Sequence, residues 1–299
     1  MTLIEVHTLF STDEKCREIL SRLRWPNGPE CPRCKTTEIV RLGTHKELYW
    51  CRECDYQFSV TVGTIFNDSH LALSKWFVAA YLICESRKGI SANQIKRILG
   101  VSYKTAWYLC HRIRAAMADR ERKLFGGIVE VDETYIGGKK PQRYGKKNPG
   151  GRSHDKDIVV GFRQRGGDVR YIKANDVSAA TLYKLIQENV SQDVDLIMTD
   201  EFAAYPRAMG SAFKDRHRTI RHKVKYVDGI IHTNSAENAF SLLKRGIVGT
   251  WHRVSAKHLP AYLEEMTFRF NRRNSSDLFL DTLRHMVTAD PLTFERLTA

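Results

Sequence analysis

The sequence contains no apolar run of about 18 residues, the least that a helix needs to span a membrane. Its N-terminus, MTLIEVHTLFSTDEK, lacks a basic segment followed by an apolar core, so it does not resemble a secretory signal. Neither GxxxxGK[ST] nor a strand-led GxGxxG is present, so we do not expect ATP dependence. These absences predict a cytoplasmic protein without a membrane anchor.

Acidic residues are too few to balance the basic ones. There are 34 Asp and Glu against 48 Lys and Arg, which gives a formal charge of +14 and a pI near 9.5. Such a charge suggests a polyanionic partner, because each phosphate that a protein neutralises releases condensed counterions. The 299 residues are 42% hydrophobic and 27% charged, which excludes a disordered chain and allows two or three globular units.

Four of the seven cysteines form two matched pairs. CPRC contains Cys31 and Cys34, CREC contains Cys51 and Cys54, and sixteen residues separate the pairs. This spacing is typical of a four-thiolate zinc ribbon, in which no coordination position stays open for catalysis. Disulfides or a redox site are the alternatives, which a cytosolic chain and two matched pairs disfavour. The single cysteines, Cys16, Cys84 and Cys110, are interpreted as plain buried residues.

A helical region follows the cysteines. It has a mainly apolar helix ending at Gly89, a short helix around Ile95 and Leu99, a turn at Gly100, and a longer helix opened by Ser102. This pattern indicates a helix-turn-helix unit whose second helix can enter a major groove with Tyr103 and Lys104. A helical hairpin that only packs on its neighbours is the alternative, and the basic chain with its zinc ribbon favours DNA binding.

From Ile128 onward the pattern changes to strands, in the order β-β-β-α-β, which matches a ribonuclease-H-like fold. In the first strand Val129 and Val131 alternate with a polar face that carries Asp132. Asp200 ends the buried run VDLIMTD, at the strand end where open α/β sheets place their sites. The fold class expected is α/β, a mixed sheet with flanking helices, preceded by the ribbon and the helix-turn-helix unit.

A later segment, HTNSAENAFSLLKRG, predicts an amphipathic helix. Its polar stripe contains Asn234, Glu237, Ser241 and Lys244, while Ala236, Ala239, Phe240 and Leu243 form the apolar side. Carboxylates are the ligands that Mg²⁺ and Mn²⁺ prefer, and a pair of such ions can hold the attacking and leaving oxygens of a phosphoryl transfer. Any one of the acids alone could be a helix or strand cap, so the prediction depends on their joint context.

Two basic stretches flank these acids. KKPQRYGKKNPGGRSHDK has seven Lys or Arg among several Gly and Pro, and suits either a solvated loop or a grip on a nucleic-acid backbone. PRAMGSAFKDRHRTIRHKVKY, with His217 and His222, lies between Asp200 and Glu237. A lone histidine is commonly a structural residue, so these two are assigned no role.

The assembly resembles the DDE-type transposases of bacterial insertion sequences, specifically the ISXO-two-like group with its N-terminal zinc ribbon, which is similar to the Merlin-type transposases. The resemblance covers nearly the whole chain, through CPRC, VDETYIGG, TDEFAAY, HTNSAENAFSLLKRGIVGTWHRVS and LPAYLEEMTFRFNRR. Thirty-six residues separate Asp200 from Glu237, and Lys244 follows Glu237 by seven residues, as a phosphate-binding lysine of such enzymes would.

The resemblance implies binding to terminal inverted repeats, followed by metal-dependent strand cleavage and strand transfer by a homo-oligomer on DNA. It implies Mg²⁺ or Mn²⁺, two ions in number, held by Asp132, Asp200 and Glu237, with Asn234 in a secondary catalytic role and Zn²⁺ in the ribbon. The expected DNA-binding residues are Tyr103, Lys104, Lys139, Lys140, Arg143, Lys146, Lys147, His232, Lys244 and Arg245.

Two other functions stay open at this point: a nuclease or resolvase on the same fold that does not join ends, and a non-catalytic DNA-binding regulator. The expected domains are a short helix with the ribbon (1–65), the helix-turn-helix unit (66–124), the catalytic domain (125–275) and a C-terminal tail (276–299).

Overall fold

The fold was analysed in a computed structural model that describes residues 1–43, 47–119, 122–137, 156–220 and 232–299. The chain divides into two compact units. Unit 1 contains Met1–Ala118 and Arg272–Ala299, and unit 2 contains Asp119–Asn271. No helix in the described ranges is both long and apolar enough to cross a membrane.

Unit 1 begins with two helices and a small antiparallel sheet. The helices are α1 (Leu3–Leu9) and α2 (Asp13–Arg24), and the sheet has the strand order β1 (Ile39–Arg41), β2 (Leu48–Cys51), β3 (Gln57–Ser59). The sheet has little apolar surface of its own, so aromatic rings form its core: Tyr49 stacks on Phe58 at 5.7 Å, and Trp25 meets Tyr49 edge-on at 5.2 Å.

Three helices follow in unit 1: α3 (Leu73–Glu85), α4 (Ala92–Leu99) and α5 (Tyr103–Ala116). Gly100 ends α4 with φ +62°, a conformation that glycine adopts at little cost, and the Ser102 side chain caps α5 by accepting the Thr105 N–H at 3.1 Å. Ile95 and Leu99 of α4 and Leu109 and Ile113 of α5 are buried, whereas Ile98 of α4 is 46% exposed. The structure therefore contains the two predicted helices with a tight turn between them, and their helix-turn-helix role stays a prediction.

Unit 2 is a five-stranded mixed sheet with helices on both faces. Its elements in chain order are β4 (Ile128–Ile136), β5 (Asp157–Gln164), β6 (Val169–Ala174), α6 (Ala179–Asn189), β7 (Leu196–Thr199), α7 (Ala204–Ala208), α8 (Gly210–Phe213), β8 (His217–Thr219), α9 (Asn234–Gly246) and α10 (Leu259–Asn271). The strand order is β6-β5-β4-β7-β8, with β5 antiparallel and β7 parallel to β4. The predicted β-β-β-α-β order and the ribonuclease-H-like mixed sheet are confirmed.

The central strand β4 separates two apolar cores. Val129 and Val131 are fully buried on one face, in a core that also contains Leu182 and Ile186 of α6 and Tyr205 of α7. The other face is covered by α9 and α10 through a set of apolar residues that includes Val159, Tyr171, Phe240, Leu243, Leu263 and Met266. Asp132 alternates with the two valines, so it faces α9, as the strand pattern predicts.

The chain returns to unit 1 after α10. Helices α11 (Leu278–Thr288) and α12 (Phe294–Thr298) lie within residues 276–299. Phe279 of α11 packs against Phe10 at 6.0 Å and Phe77 at 6.2 Å, which builds the end of the chain into the apolar core of the N-terminal unit.

Candidate functional site

The four paired cysteines converge on one point in unit 1. Their sulfur atoms all lie within 4.8 Å of one another, with Cys31 Sγ 3.7 Å from Cys54 Sγ and Cys34 Sγ 3.5 Å from Cys51 Sγ. Zn–S bonds of about 2.3 Å in a tetrahedron place sulfurs about 3.8 Å apart. The cluster therefore has the donor set and the spacing of a structural zinc site.

The two cysteine pairs have the same backbone geometry. The N–H of Cys31 donates to the carbonyl of Thr36 at 3.0 Å, and the N–H of Cys51 donates to the carbonyl of Tyr56 at 2.9 Å, five residues on in each case. Lys35 and Asp55, each directly after its CxxC, have φ of +65° and +52°. Two left-handed turns thus aim each pair of sulfurs at a common centre.

Asp132 and Asp200 extend from adjacent parallel strands. The last paired residues of β4 and β7 are Glu130 and Met198, and each aspartate lies two residues beyond its member of that pair. Neighbouring strands are about 4.8 Å apart, so continuation of this register places the two aspartates side by side at the end of β7. Asp200 also accepts the Phe202 N–H at 3.0 Å, which fixes its carboxylate at the turn.

Negative charge accumulates around Asp132. Burial raises the pKa of this carboxyl to about 7, and the charges of Glu133, Asp200 and Glu237 act in the same direction against the N–H of Glu133, which donates to Asp132 at 2.8 Å. Because the charges of Asp200 and Glu237 both act on Asp132, we infer that the three predicted acids lie near one another. A cation would relieve this repulsion.

Glu237 lies in the first turn of α9, on its exposed side. Its Oε1 accepts a hydrogen bond from the Thr233 hydroxyl at 3.4 Å. Asn234 is the first residue of the helix and is also exposed, as are Ser241 and Lys244, while the four predicted apolar residues are buried. The two faces of α9 therefore match the sequence pattern.

A buried glutamate joins α9 to β4. Glu130 is fully buried, and its Oε2 accepts the N–H of Ala236 at 2.9 Å while its Oε1 accepts the Nε–H of Arg165 at 2.7 Å. Arg165 also donates to the carbonyl of His232 at 3.0 Å, and His232 Nδ1 lies 3.3 Å from Glu130 Oε1. The N-cap residue Thr233 makes no capping hydrogen bond with its side chain, so Glu130 satisfies a helix N–H from outside the helix.

A glycine allows α9 to approach the sheet closely. Gly161 of β5 pairs with Asp132, and Phe240 of α9 lies over it. A Cβ atom at position 161 would lie 2.6 Å from Phe240 Cζ, closer than carbon atoms approach. The next residue across the sheet, Tyr171, donates from its hydroxyl to the carbonyl of Ala239 at 2.8 Å. Glycine at 161 therefore sets the height of the helix above Asp132.

The three acids are more widely spaced than the cysteines. In the ranges that the structure describes, the cysteine cluster is the one group of three or more Cys, His, Asp or Glu side chains whose ligand atoms all lie within 4.8 Å. Asp132, Asp200 and Glu237 do not meet this spacing, but Asp200 and Glu237 are near enough to help raise the pKa of Asp132, and Glu237 is exposed to solvent.

The predicted DNA-binding residues occupy different settings. Tyr103 is 49% exposed, and Lys104 is exposed with its Nζ 4.3 Å above the Phe294 ring. Lys244 and Arg245 are exposed on α9, whereas the Nδ1 of His232 is directed toward Glu130. Lys139, Lys140, Arg143, Lys146 and Lys147, together with His222, lie outside the described residues.

His217 lies in β8, a strand that the sequence analysis did not predict, as it did not predict α7 or α8. Its Nε2 is 2.8 Å from Thr199 Oγ1, and burial lowers the pKa of its imidazole to about 4. The sequence analysis also assigned no role to Glu130. Its position inside the apolar run IVEVDETYIGG, two residues before Asp132, was the available signal, because a carboxylate there needs buried partners.

Two family profiles match the chain. The ISXO2-like transposase domain matches residues 124–271, and the transposase zinc-ribbon domain matches residues 11–57. The chain is 31% identical over 274 residues to an uncharacterized protein in transposable element ISH50 of Halobacterium salinarum, covering 87% of this chain and 91% of that protein.

Among solved structures, the Mos1 strand transfer complex is similar with a TM-score of 0.30 and 11% identity, covering 73% of this chain and 78% of that chain. A pre-cleavage Mos1 transpososome has a TM-score of 0.28 and 13% identity, with coverages of 73% and 79%. The two matching profiles together include the cysteine cluster and residues 124–271 of unit 2, which carry Asp132, Asp200 and Glu237. The chain belongs to the ISXO2-like transposase family.

Proposed function

We propose that this protein is the transposase of an insertion sequence, which binds the terminal inverted repeats of its element, cuts DNA at those ends and joins the freed 3′ ends to target DNA. The observation that carries the proposal is the convergence of Asp132, Asp200 and Glu237 within the family's domain. The net charge of +14 supports a DNA partner. We also propose a cytoplasmic location, where that DNA lies, and assembly of several copies on the DNA ends.

Asp132, Asp200 and Glu237 would hold the catalytic Mg²⁺ or Mn²⁺. Their hard oxygen donors fit such ions, and a cation would offset both the burial and the neighbouring negative charges that raise the pKa of Asp132. We propose two ions, because a pair about 3.5 to 4 Å apart can hold both the attacking and the leaving oxygen of a phosphoryl transfer. Bound divalent ions lower the pKa of an attacking hydroxyl and stabilise charge on the phosphate oxygens.

The proposed reaction has two steps, and residues of the protein would position the DNA for both. In the first step a water oxygen forms a bond to phosphorus, and the bond from phosphorus to the 3′ oxygen breaks, which leaves a 3′-hydroxyl. In the second step that hydroxyl attacks a target phosphodiester, and one target-strand oxygen leaves. Asp132 and Asp200 each lie two residues beyond the last pair of β4 and β7. On α9, Asn234 lies one turn before Glu237, and Lys244 lies about 10 Å further along the helix, where it would contact a DNA phosphate.

The N-terminal unit is proposed to recognise the repeats. The first turn of α5 presents Tyr103 and Lys104 to solvent, and the N-terminus of such a helix is the part that meets base edges in a major groove. The ribbon, held together by Zn²⁺, would extend the contact with DNA. Lys139, Lys140, Arg143, Lys146, Lys147, His232 and Arg245 remain proposed phosphate contacts.

The test is cleavage and strand transfer on DNA that carries the element's own ends, with Mg²⁺ or Mn²⁺. Wild-type protein should form joined products, whereas Asp132→Asn, Asp200→Asn and Glu237→Gln should bind the same DNA without cutting it. Glu201→Gln is the matched control, because it removes an exposed carboxylate directly beside Asp200, and it should cut normally.

The alternatives predict other products. Cutting without joining would identify a nuclease, and binding without cutting would identify a regulator. Equal cutting by the wild type and the three variants would overturn the assignment of the acids.

A further inference from the structure

An exposed apolar turn follows the helix that carries Glu237. The turn is π-helical, Ile247–Trp251, and continues directly from α9. Val248 at its tip is 70% exposed, which is the highest value among the large apolar side chains of unit 2 that the structure describes. Single exposed apolar side chains are common on protein surfaces, so a role for Val248 depends on how the turn around it is built.

The protein holds this turn firmly on both sides of Val248. Ile247 is 7% exposed in the apolar core beneath α9, and Trp251 packs against Tyr262 with ring centroids 4.7 Å apart. The turn ends at His252, whose φ is +59° and whose Nδ1 is 3.0 Å from the Val248 carbonyl. A π-helical turn and a left-handed non-glycine residue both cost free energy and are concentrated at functional sites.

Gly249 supplies an independent observation. A Cβ atom added there would have no heavy atom within 4 Å, and its φ does not require glycine. Neither packing nor backbone conformation within the described structure therefore accounts for a glycine. The absence of a side chain beside Val248 would allow another molecule to approach the backbone closely.

The charge around the turn identifies the chemistry of that molecule. Residues 238–263 contain no Asp or Glu, and they include Lys244, Arg245, Arg253 and Lys257, all exposed. An apolar tip whose flanking sequence carries only exposed cations fits the DNA duplex, where basic residues contact the phosphates and an apolar side chain enters between base steps.

We propose that Val248 is a wedge that unstacks a base step of the bound DNA, with Gly249 allowing the duplex to approach the turn. The inference depends on the proposed DNA function and adds a means of distorting the substrate. Val248 follows Glu237 by eleven positions, which is about 16 Å along a helix. At about 3.4 Å per base pair, the wedge acts about five base pairs from the phosphate that is cut.

The test uses the full-length protein and two kinds of DNA end. One end is fully paired. The other is a series of ends, each with one abasic site at a different position about three to seven base pairs from the cut. Val248→Ala should cut the paired end about tenfold more slowly, because the small side chain cannot unstack the step, and should recover on one of the abasic ends. Val248→Leu keeps the apolar bulk and should cut the paired end as wild type does.

Leu124→Ala is the matched control, because Leu124 is an exposed apolar residue of the same unit, at 52%. It should leave both substrates unaffected. A slower reaction of Val248→Ala on all ends alike, or an unchanged rate on the paired end, would overturn the wedge.

A binding measurement without divalent ions separates the wedge from catalysis. The fluorescence of 2-aminopurine placed at the same positions should rise when wild-type protein binds and should rise several-fold less with Val248→Ala or Gly249→Leu. Gly249→Leu should keep its melting temperature, since the space at its Cβ is open. A fluorescence rise in this measurement, combined with no cutting after Mg²⁺ or Mn²⁺ is added, would contradict the proposed transposase and retain the wedge. Tight binding with no rise would overturn the wedge alone.

Discussion

Glu130 Oε2 accepts a hydrogen bond of 2.9 Å from the N–H of Ala236, which directly precedes Glu237. The strand that carries the first proposed ligand is thereby joined to the helix that carries the third. Glu130 is fully buried, so solvent does not compete for this bond, and Arg165 neutralises the carboxylate. The position of Glu237 relative to Asp132 therefore depends on one buried side chain.

Substitution of Glu130 should displace α9. Glu130→Gln keeps the shape but removes the charge that Arg165 and the helix N-terminus both require, so we expect a loss of about 2 to 4 kcal/mol in the free energy of unfolding of unit 2. Mn²⁺ affinity, measured by titration calorimetry, should fall at least tenfold at a temperature where the variant is folded. Glu188→Gln, an exposed partner of Lys184, is the control and should change neither quantity. Unchanged Mn²⁺ affinity in folded Glu130→Gln would refute a positioning role.

Zinc should hold the ribbon together without contributing to the acidic site. We expect one zinc per chain, and we expect Cys34→Ser to lose the metal because three thiolates no longer close the tetrahedron. Limited proteolysis should then cut residues 25–60, while unit 2 melts at its original temperature. Cys16→Ala removes a buried cysteine outside the cluster and should keep its zinc. A ribbon that resists protease after loss of zinc would show that the metal is not structural.

The ionised form of Asp132 should destabilise metal-free unit 2. Burial and the neighbouring acids raise its pKa to about 7 from an ordinary value of 3.8, so the folded state binds the proton more tightly than the unfolded chain. The stability that the protonated Asp132 carboxyl contributes to unit 2 is fully present below about pH 4, and it is lost as the pH rises to about 7. Without added Mg²⁺ at pH 8, Asp132→Asn should raise the melting temperature by about 4 to 8 °C.

Added Mg²⁺ should reverse this order, because it stabilises the wild type and has little effect on Asp132→Asn. Calorimetric melting with and without Mg²⁺ measures both effects. A wild type that melts above Asp132→Asn without Mg²⁺ would contradict the crowded-charge interpretation of this site.

His217 should make unit 2 sensitive to acid. Burial lowers its pKa to about 4 from 6.5, so the unfolded chain takes up a proton first as the pH falls. Stability that is fully present above about pH 6.5 should decline toward pH 4, by at most about 2 kcal/mol after allowance for solvent screening. His217→Gln retains a partner for Thr199 and should show a smaller decline in urea denaturation between these pH values. An identical decline in both proteins would assign the acid sensitivity to other groups.

Gly161 and Phe240 should behave as a complementary pair. Gly161→Ala places a methyl group within 2.6 Å of the Phe240 ring, so α9 must move away from the sheet, and we expect a loss of about 1 to 3 kcal/mol together with slower cleavage. Adding Phe240→Leu should restore part of the lost stability and part of the cleavage rate, because the smaller side chain leaves room for the methyl group. A double-mutant cycle measures the coupling, and simple additivity would exclude direct contact as the cause.

The sequence predicts the elements of this protein better than their mutual positions. Alternation along Val129 to Asp132 and the polar stripe of α9 are local properties, so they indicate the correct faces before any tertiary contact is known. The spacing of the four cysteines also predicts their convergence, because each CxxC turn brings its own two sulfurs together.

The sequence does not reveal which residues that are distant along the chain pair with each other. The register of β4 with β7 and the bond from Glu130 to Ala236 join residues 68 and 106 positions apart, and no local pattern encodes such pairings. Strand β8 has only three residues, with a basic composition, and its pairing with β7 supplies the stabilisation that its own sequence lacks.

The order of the proposed ligands along the chain has a consequence for protein synthesis. Asp132 and Asp200 can pair as soon as β4 and β7 have left the ribosome, but α9 is made later and docks only when Glu130 and Gly161 receive it. A nascent chain that ends before α9 contains two carboxylates and no third. We therefore expect truncated products that end before α9 to bind DNA without cutting it.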